Sequence, residues 1–254
     1  MFQKRSYELE RIDKGDYTLA QYEDCLLELQ RVNRWLGDAW TLRRTLLRDL
    51  KVSGLRKASI LDVGAGSGEL LRVTSSWAGK NRRSLRLVGL ELNPLSAQAI
   101  LGQSKEFSSI SAVRGNAFQL PFADGQFDFV ISSLFTHHFT EFQIVTLLKE
   151  MTRVASREIC IIDLHRHPIA YFFYVTIAPL ILRNRLIQED GALSILRSFK
   201  PRELLALGQR ANLTNLRVER HFPFRLVLRA GPASAHVISS ESSLSGTNQA
   251  NQAA

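Results

Sequence analysis

Residues 60–71 read ILDVGAGSGELL, an apolar run that ends in Asp62, breaks into alternate glycines at Gly64, Gly66 and Gly68, and resumes with helical spacing from Glu69. The pattern predicts a buried strand, a tight turn and a helix start. Such a turn needs glycine because its backbone visits dihedrals that a Cβ penalises and because a ligand must come close to the main chain. The free amides of the helix start then face that ligand. A dinucleotide fingerprint, GxGxxG, would put its third glycine where Glu69 stands; here the third glycine is one residue earlier, at Gly68. A carboxylate on the first helical turn repels a pyrophosphate and suits a ligand that carries an amino group or a positive charge.

The run Asp62-Val63-Gly64-Ala65-Gly66-Ser67-Gly68 resembles motif I, D/E-x-G-x-G-x-G, of the class I S-adenosylmethionine-dependent methyltransferases, and motifs in the family's order extend the resemblance over roughly residues 58–229. LRLVGLE at 85–91 predicts a second buried strand ending in an acid, so Glu91, followed by Leu92, is placed to accept hydrogen bonds from both ribose hydroxyls of an adenosine. Asn93-Pro94 then opens a helix over 95–102. After a third strand at 110–114, Asn116-Ala117 stands where the family usually has Asp-Ala beside the adenine amino group; the carbonyl of Asn116 can accept the same bond. Leu120-Pro121-Phe122 with Phe127-Asp128 resembles the family's LPF…FD segment. The fourth strand, 127–133, ends at Ser132-Ser133-Leu134-Phe135, beside the sulfonium and the transferable methyl in this family, with Ser132 taken as the contact.

The resemblance therefore implies S-adenosylmethionine as cofactor, held by Asp62, Gly64, Ala65, Gly66, Gly68, Glu91, Leu92, Asn116, Ala117 and Ser132. It implies an α/β, Rossmann-like, doubly wound sheet of seven mostly parallel strands with an antiparallel edge strand. An N-terminal helical cap and a helical insertion after strand five complete that architecture.

Four histidines arrive at the carboxyl edge of the sheet, where open α/β sheets bind ligands: His137 and His138 after strand four, His165 and His167 after strand five, 158–164. Imidazole titrates near neutrality, so each is a candidate general base for an acceptor hydroxyl. The alternative for the first pair is packing beneath the next helix, 141–154. Neither pair has the HExxH spacing of a zinc helix, and no metal is expected.

IAYFFYVTIAPLIL, residues 169–182, carries no charge and is too short to span a bilayer, which takes about 20 helical residues. It lies in an insertion, 167–199, where such enzymes build a substrate lid. Its four aromatics, Tyr171, Phe172, Phe173 and Tyr174, suit either the wall of an apolar pocket or a peripheral membrane contact, and both point to a lipophilic or aromatic acceptor.

The 254 residues, 45% of them hydrophobic, suffice for one α/β core with appendages. Apolar residues repeat at helical spacing over 18–50 with a break at Gly37; the resemblance makes residues 1–57 an N-terminal helical cap over the cofactor cleft, the alternative being a helical extension that only packs on the sheet edge, before a methyltransferase domain at 58–230. Pro201 starts the last helix, residues 216–221 and 224–229 form a closing hairpin through Pro223, and the Ser-, Ala-, Asn- and Gln-rich 231–254 reads as a disordered tail. Two distant cysteines and an N-terminus with no apolar stretch point to the cytoplasm. The net charge of +9 raises RNA as an alternative substrate, but aromatics are not interleaved with the basic clusters as base stacking needs. The reading is thus a methyltransferase for a small, apolar or aromatic acceptor, O-methylation favoured. The alternatives are an RNA methyltransferase or a non-catalytic cofactor-binding partner subunit.

Overall fold

The computed structural model describes residues 2–18, 21–22, 24–25, 28, 37–182 and 184–232. Within the expected cap, residues 29–36 and several between 19 and 27 lie outside the described residues, as does the expected tail beyond Pro232.

Seven strands form one sheet in the order β3-β2-β1-β4-β5-β7-β6. They are β1 (Lys57–Val63), β2 (Ser84–Glu91), β3 (Ile110–Arg114), β4 (Phe127–Ser133), β5 (Ala155–Leu164), β6 (Thr214–His221) and β7 (Arg225–Gly231). β1 to β5 pair in parallel, whereas β7 runs antiparallel to both β5 and β6. The antiparallel strand therefore stands one position in from the edge, which β6 occupies. β7 extends to Gly231, so ordered structure enters the first residue assigned to the tail.

Alternation along the strands decides which helices cover which face. Ile60, Leu87, Phe129, Ile131 and Ile162 face α1 (residues 38–52), α2 (Glu69–Lys80) and α3 (Pro94–Gln103). Leu61, Val63, Val130, Ile159 and Ile161 face α4 (Glu141–Val154) and, beyond α5 (Pro168–Ile181) and α6 (Arg185–Arg197) in the chain, α7 (Pro201–Arg210). α1, whose middle Arg43–Leu47 is π-helical, places Leu42, Leu46, Leu47 and Leu50 against the sheet at 2% exposure or less. Burying one such leucine stabilises by roughly 1.5–3 kcal/mol. This half of the expected cap is therefore part of the core and not a loose lid, although Asp38 and Ala39 at its start reach the ligand cavity.

α5 and α6 pack on each other away from the sheet. A small core of Cys25, Ala178, Leu182, Leu186 and Ile187 joins them to the N-terminal segment. Tyr174 lies across Gly191 of α6 and donates to the carbonyl of Ile187 at 2.5 Å; any Cβ at position 191 would collide with its ring. Glycine in mid-helix is here the condition for the two helices to close.

Candidate active site

The glycine turn leaves β1 with Gly64, Gly66 and Gly68 all in the left-handed region, at φ +71°, +56° and +81°. The amides of Gly64 and Ala65 donate to the Leu90 carbonyl at 3.0 and 3.2 Å, which ties the turn to β2. A Cβ on Gly64 would strike the ring of Phe135, so that glycine is needed for packing. A Cβ on Gly66 would meet nothing within 4 Å, so Gly66 opens onto free space. Gly68 caps α2.

Glu91 braces this turn: Oε1 accepts from the Gly66 amide at 2.6 Å and Oε2 from the Leu92 amide at 3.1 Å. Burial pushes its carboxyl up, and those backbone donors work against the shift. Each oxygen keeps a lone pair, so the expected ribose contact and this bracing are compatible. Asp62 is 2% exposed and lines the cavity with Gly64, Ala65, Gly66 and Ser67, yet its Oδ1 has no hydrogen-bond partner. Burial, then the charge of Glu91, push the Asp62 carboxyl up to about 8. An orphaned buried carboxyl beside an open glycine cradle is a donor set that fits a cationic, amino-bearing cofactor.

Four of the expected cofactor contacts are placed differently. The exposed Leu92 side chain does not line the cavity. Asn116 is exposed and turns its Oδ1 to the Phe118 amide at 3.0 Å, closing a local turn. Ala117 is buried in the core on the α4 side. Ser132 donates its hydroxyl to the Val63 carbonyl at 2.7 Å inside the sheet. Successive strand residues face opposite ways, so it is Ser133, with a hydroxyl that has no partner, that lines the cavity.

From the glycine turn a cavity of about 1180 Å³ runs beneath α5 and α6, walled by Ile169, Phe173, Tyr174, Ile177 and Ile187 and by Phe224 of the β6–β7 loop. One side holds a polar cluster. Asp163, fully buried on β5, accepts four hydrogen bonds: from Nδ1 of His137 at 2.7 Å, its backbone amide at 3.1 Å, the Leu164 amide at 2.7 Å and the Thr136 hydroxyl. Burial alone would raise the Asp163 carboxyl, but His137 and these donors overturn it and hold it at about 2. An ionised Asp163 can only accept, so Nδ1 of His137 carries the proton of that bond and Nε2 is the ring nitrogen left for other partners. That Nε2 lies 3.8 Å from Oε1 of Glu10, whose carboxyl burial pushes up to about 7.

The structure thus separates the four histidines. His137 and His138 lie with ring centroids 4.3 Å apart, both on the cavity. Nδ1 of His138 comes within 2.9 Å of Asp13, off the axis of a formed hydrogen bond. His165 sits between the cavity and a second recess, and burial, then the neighbouring His167, Arg220, Arg166 and Lys200, push it down to about 4. His167 accepts the Ile169 amide at 3.2 Å through Nδ1 and stacks on Phe224 at 5.3 Å. It is the N-cap of α5 and does not line the main cavity. Glu10, His137 and His138 bring one ligand-type atom each within 4.8 Å of one another, an arrangement histidine spacing alone does not reveal. The Arg197 guanidinium, 3.8 Å from Glu10, already sets a positive charge beside that carboxyl.

Sequence reading missed Glu10 and Asp163, and of the adjacent Ser132 and Ser133 it chose Ser132. Asp163 carried a signal, an acid inside the apolar strand CIIDL; Glu10 carried none. The segment bearing Glu10 is held over the site by Arg5, which donates to the carbonyls of Arg197 at 2.7 Å and His137 at 3.2 Å.

Comparison with known proteins agrees with this geometry. Residues 61–158 match the family model described as a methyltransferase domain. Over 97 residues the chain is 30% identical to a demethylmenaquinone methyltransferase of Bacillus licheniformis, and over 99 residues 35% identical to one of Bacillus velezensis; each match covers 38% of this chain and 40% of the relative. The chain thus matches less than half the length of these curated relatives. In three dimensions it is similar to an S-adenosylmethionine-dependent methyltransferase of Aquifex aeolicus, with a TM-score of 0.58 at 17% identity, over 82% of this chain and 96% of that one. Residues 61–158 are thus matched as a methyltransferase domain, carried on a seven-stranded Rossmann-like sheet of the S-adenosylmethionine-dependent methyltransferase fold.

Proposed function

We propose that this protein transfers a methyl group from S-adenosylmethionine to a small, apolar or aromatic acceptor held beneath α5 and α6, with oxygen the favoured methylated atom. The observation that carries the reading is the continuity of one cavity from the glycine turn to an end that sets the apolar side chains of Ile169, Phe173, Tyr174, Ile177 and Ile187 opposite the polar cluster around His137. Asp62, the open backbone at Gly66 and Glu91 would hold the cofactor. When bound, the cofactor supplies a methyl already activated on a sulfonium. What remains for the protein is alignment and, for an acceptor that is not ionised, removal of one proton. His137 has the geometry for that proton: Asp163 fixes Nδ1–H, so Nε2 is the accepting atom. The two curated relatives are named for demethylmenaquinone, and a lipophilic ring is the class of acceptor that these walls suit.

Among the described residues no helix is long and apolar enough to cross a membrane. In this reading the protein works in the cytoplasm, and residues 169–182 both close the acceptor cavity and give peripheral contact with a membrane. A labelled-methyl assay on cell extract split into lipid, small polar and RNA fractions tests the proposal. Label in the lipid fraction supports it, label in RNA replaces it with the nucleic-acid reading, and cofactor binding with no label in any fraction favours a partner subunit.

A further inference from the structure

α5 covers the cavity with one side and leaves the other uncovered: Phe172 is 58% exposed, Leu180 78% and Ile181 70%. Three of its residues, Ile169, Phe173 and Ile181, are exposed and also line the cavity, so the apolar surface and the apolar interior are continuous. Patches of this kind on a folded chain mark contact surfaces.

At the N-terminal end of α5 lies a second recess of about 600 Å³, whose lining includes His165, His167, Lys200, Arg202, Arg220 and Phe2. Phe2 joins the two features, its ring centroid 6.2 Å from that of Phe172. The fully buried Arg166 is neutralised there by Glu203. Lys200, Arg202 and Arg220 make no ion pair among the described residues, and Arg202 and Arg220 are exposed. The positive charge of the recess is therefore unmatched among the described residues. The depressed His165 reports the same crowding, since after burial its shift comes from His167, Arg220, Arg166 and Lys200. Both α5 and α7 begin at the recess, at Pro168 and Pro201, adding the positive ends of two helices.

We infer that the outer face of α5 and this basic recess dock together on an anionic phospholipid bilayer, the recess taking a headgroup phosphate while Phe172, Leu180 and Ile181 enter the interface. The inference rests on the reading of α5 as a membrane contact and adds the lipid class. An apolar helix beside unpaired cations matches a surface that is apolar within and negatively charged at its rim. Such docking also gives a lipophilic acceptor a path past Ile169 and Phe173 without crossing water.

The test is sedimentation of the full chain with vesicles of phosphatidylcholine alone, or with about one third phosphatidylglycerol, at low and high salt. Calorimetric binding of S-adenosylhomocysteine serves as the check that each variant is folded. Binding to the anionic vesicles at least tenfold above the neutral ones, weakened by salt, is expected. Lys200→Glu with Arg220→Glu should remove that preference, and Phe172→Ser with Leu180→Ser should release the protein from both vesicles, with cofactor affinity kept in each variant. Equal binding to both compositions, or charge reversal without effect, would overturn the proposal. So would binding of inorganic phosphate to the recess with no vesicle binding, which would make it a site for a free anion. Sedimentation involves no methyl acceptor, so the docking and the acceptor reading fail separately.

Discussion

The cofactor side and the acceptor side of the cavity are built in opposite ways. The cofactor side is backbone: three glycines and two tethering amides within residues 64–68, braced by one carboxylate, Glu91, at the end of the neighbouring strand. The acceptor side is side chain, gathered from segments far apart in the chain: Glu10 from the N-terminus, His137 from the turn after β4, with Asp163 of β5 buried behind it, Tyr174 and Ile187 from the insertion, Phe224 from the last hairpin. Backbone conformation is written locally and can be read locally. A wall assembled by tertiary packing has no local signature.

That contrast accounts for what the sequence disclosed. The glycine turn, the position of Glu91 at the end of β2 and the extents of α4 and α5 followed from periodicity and punctuation, and the doubly wound seven-stranded sheet from the family resemblance. Ser132 and Ser133 could not be told apart, because which of two adjacent strand residues faces the ligand depends on packing across the sheet. Asn116 was read as a ligand contact; its carbonyl also serves a local turn, a second use that the sequence does not reveal. The histidines were visible as a group, but their roles were set by partners no spacing reveals: Asp163 for His137, and the amide of Ile169 for His167.

The largest effect that tests this contrast is expected on the backbone side. Gly66→Arg should abolish binding of S-adenosylhomocysteine in a calorimetric titration, because it fills the one open position of the turn and forces a side chain into left-handed backbone. Retained affinity would remove the cofactor from the loop. On the acceptor side, Asp163→Asn should leave cofactor affinity near that of the parent and lower methyl transfer by about 10²–10⁴-fold, the usual worth of a positioned base. A stopped-rate assay at saturating cofactor reads this, and an unchanged rate would acquit the His137–Asp163 pair.

The pH dependence of binding separates the two sides further. The Asp62 carboxyl is raised in the folded protein to about 8, well above its unfolded value, so between about pH 4 and 8 the folded state holds a proton that the unfolded state has lost. Stability contributed by this group therefore falls as pH rises through that window. A cationic ligand selects the ionised form, so cofactor affinity should climb by up to about tenfold per pH unit as pH approaches 8 from below. The climb should be absent in Asp62→Asn. A flat profile in the parent protein would mean that Asp62 does not face the ligand's charge.

Smaller effects sharpen the comparison. Gly191→Ala should cost roughly 1–3 kcal/mol through overpacking against Tyr174, read as a lower melting temperature with cofactor affinity intact, since it disturbs only α5 and α6. Ser132→Ala should cost about 1 kcal/mol of stability, the net value of its bond to Val63, without touching transfer. Ser133→Ala should do the reverse. If the two serines exchange these phenotypes, the assignment of cavity face and sheet interior along β4 is inverted.

Titration of the purified protein with S-adenosylhomocysteine in a calorimeter, repeated with Glu91→Ala, tests the central claim most directly. The account predicts one binding site per chain, weakened by about 1–3 kcal/mol in the variant, which loses the brace on Gly66 and the ribose contact together. No heat of binding in the parent protein, or equal affinity in the two proteins, would contradict it.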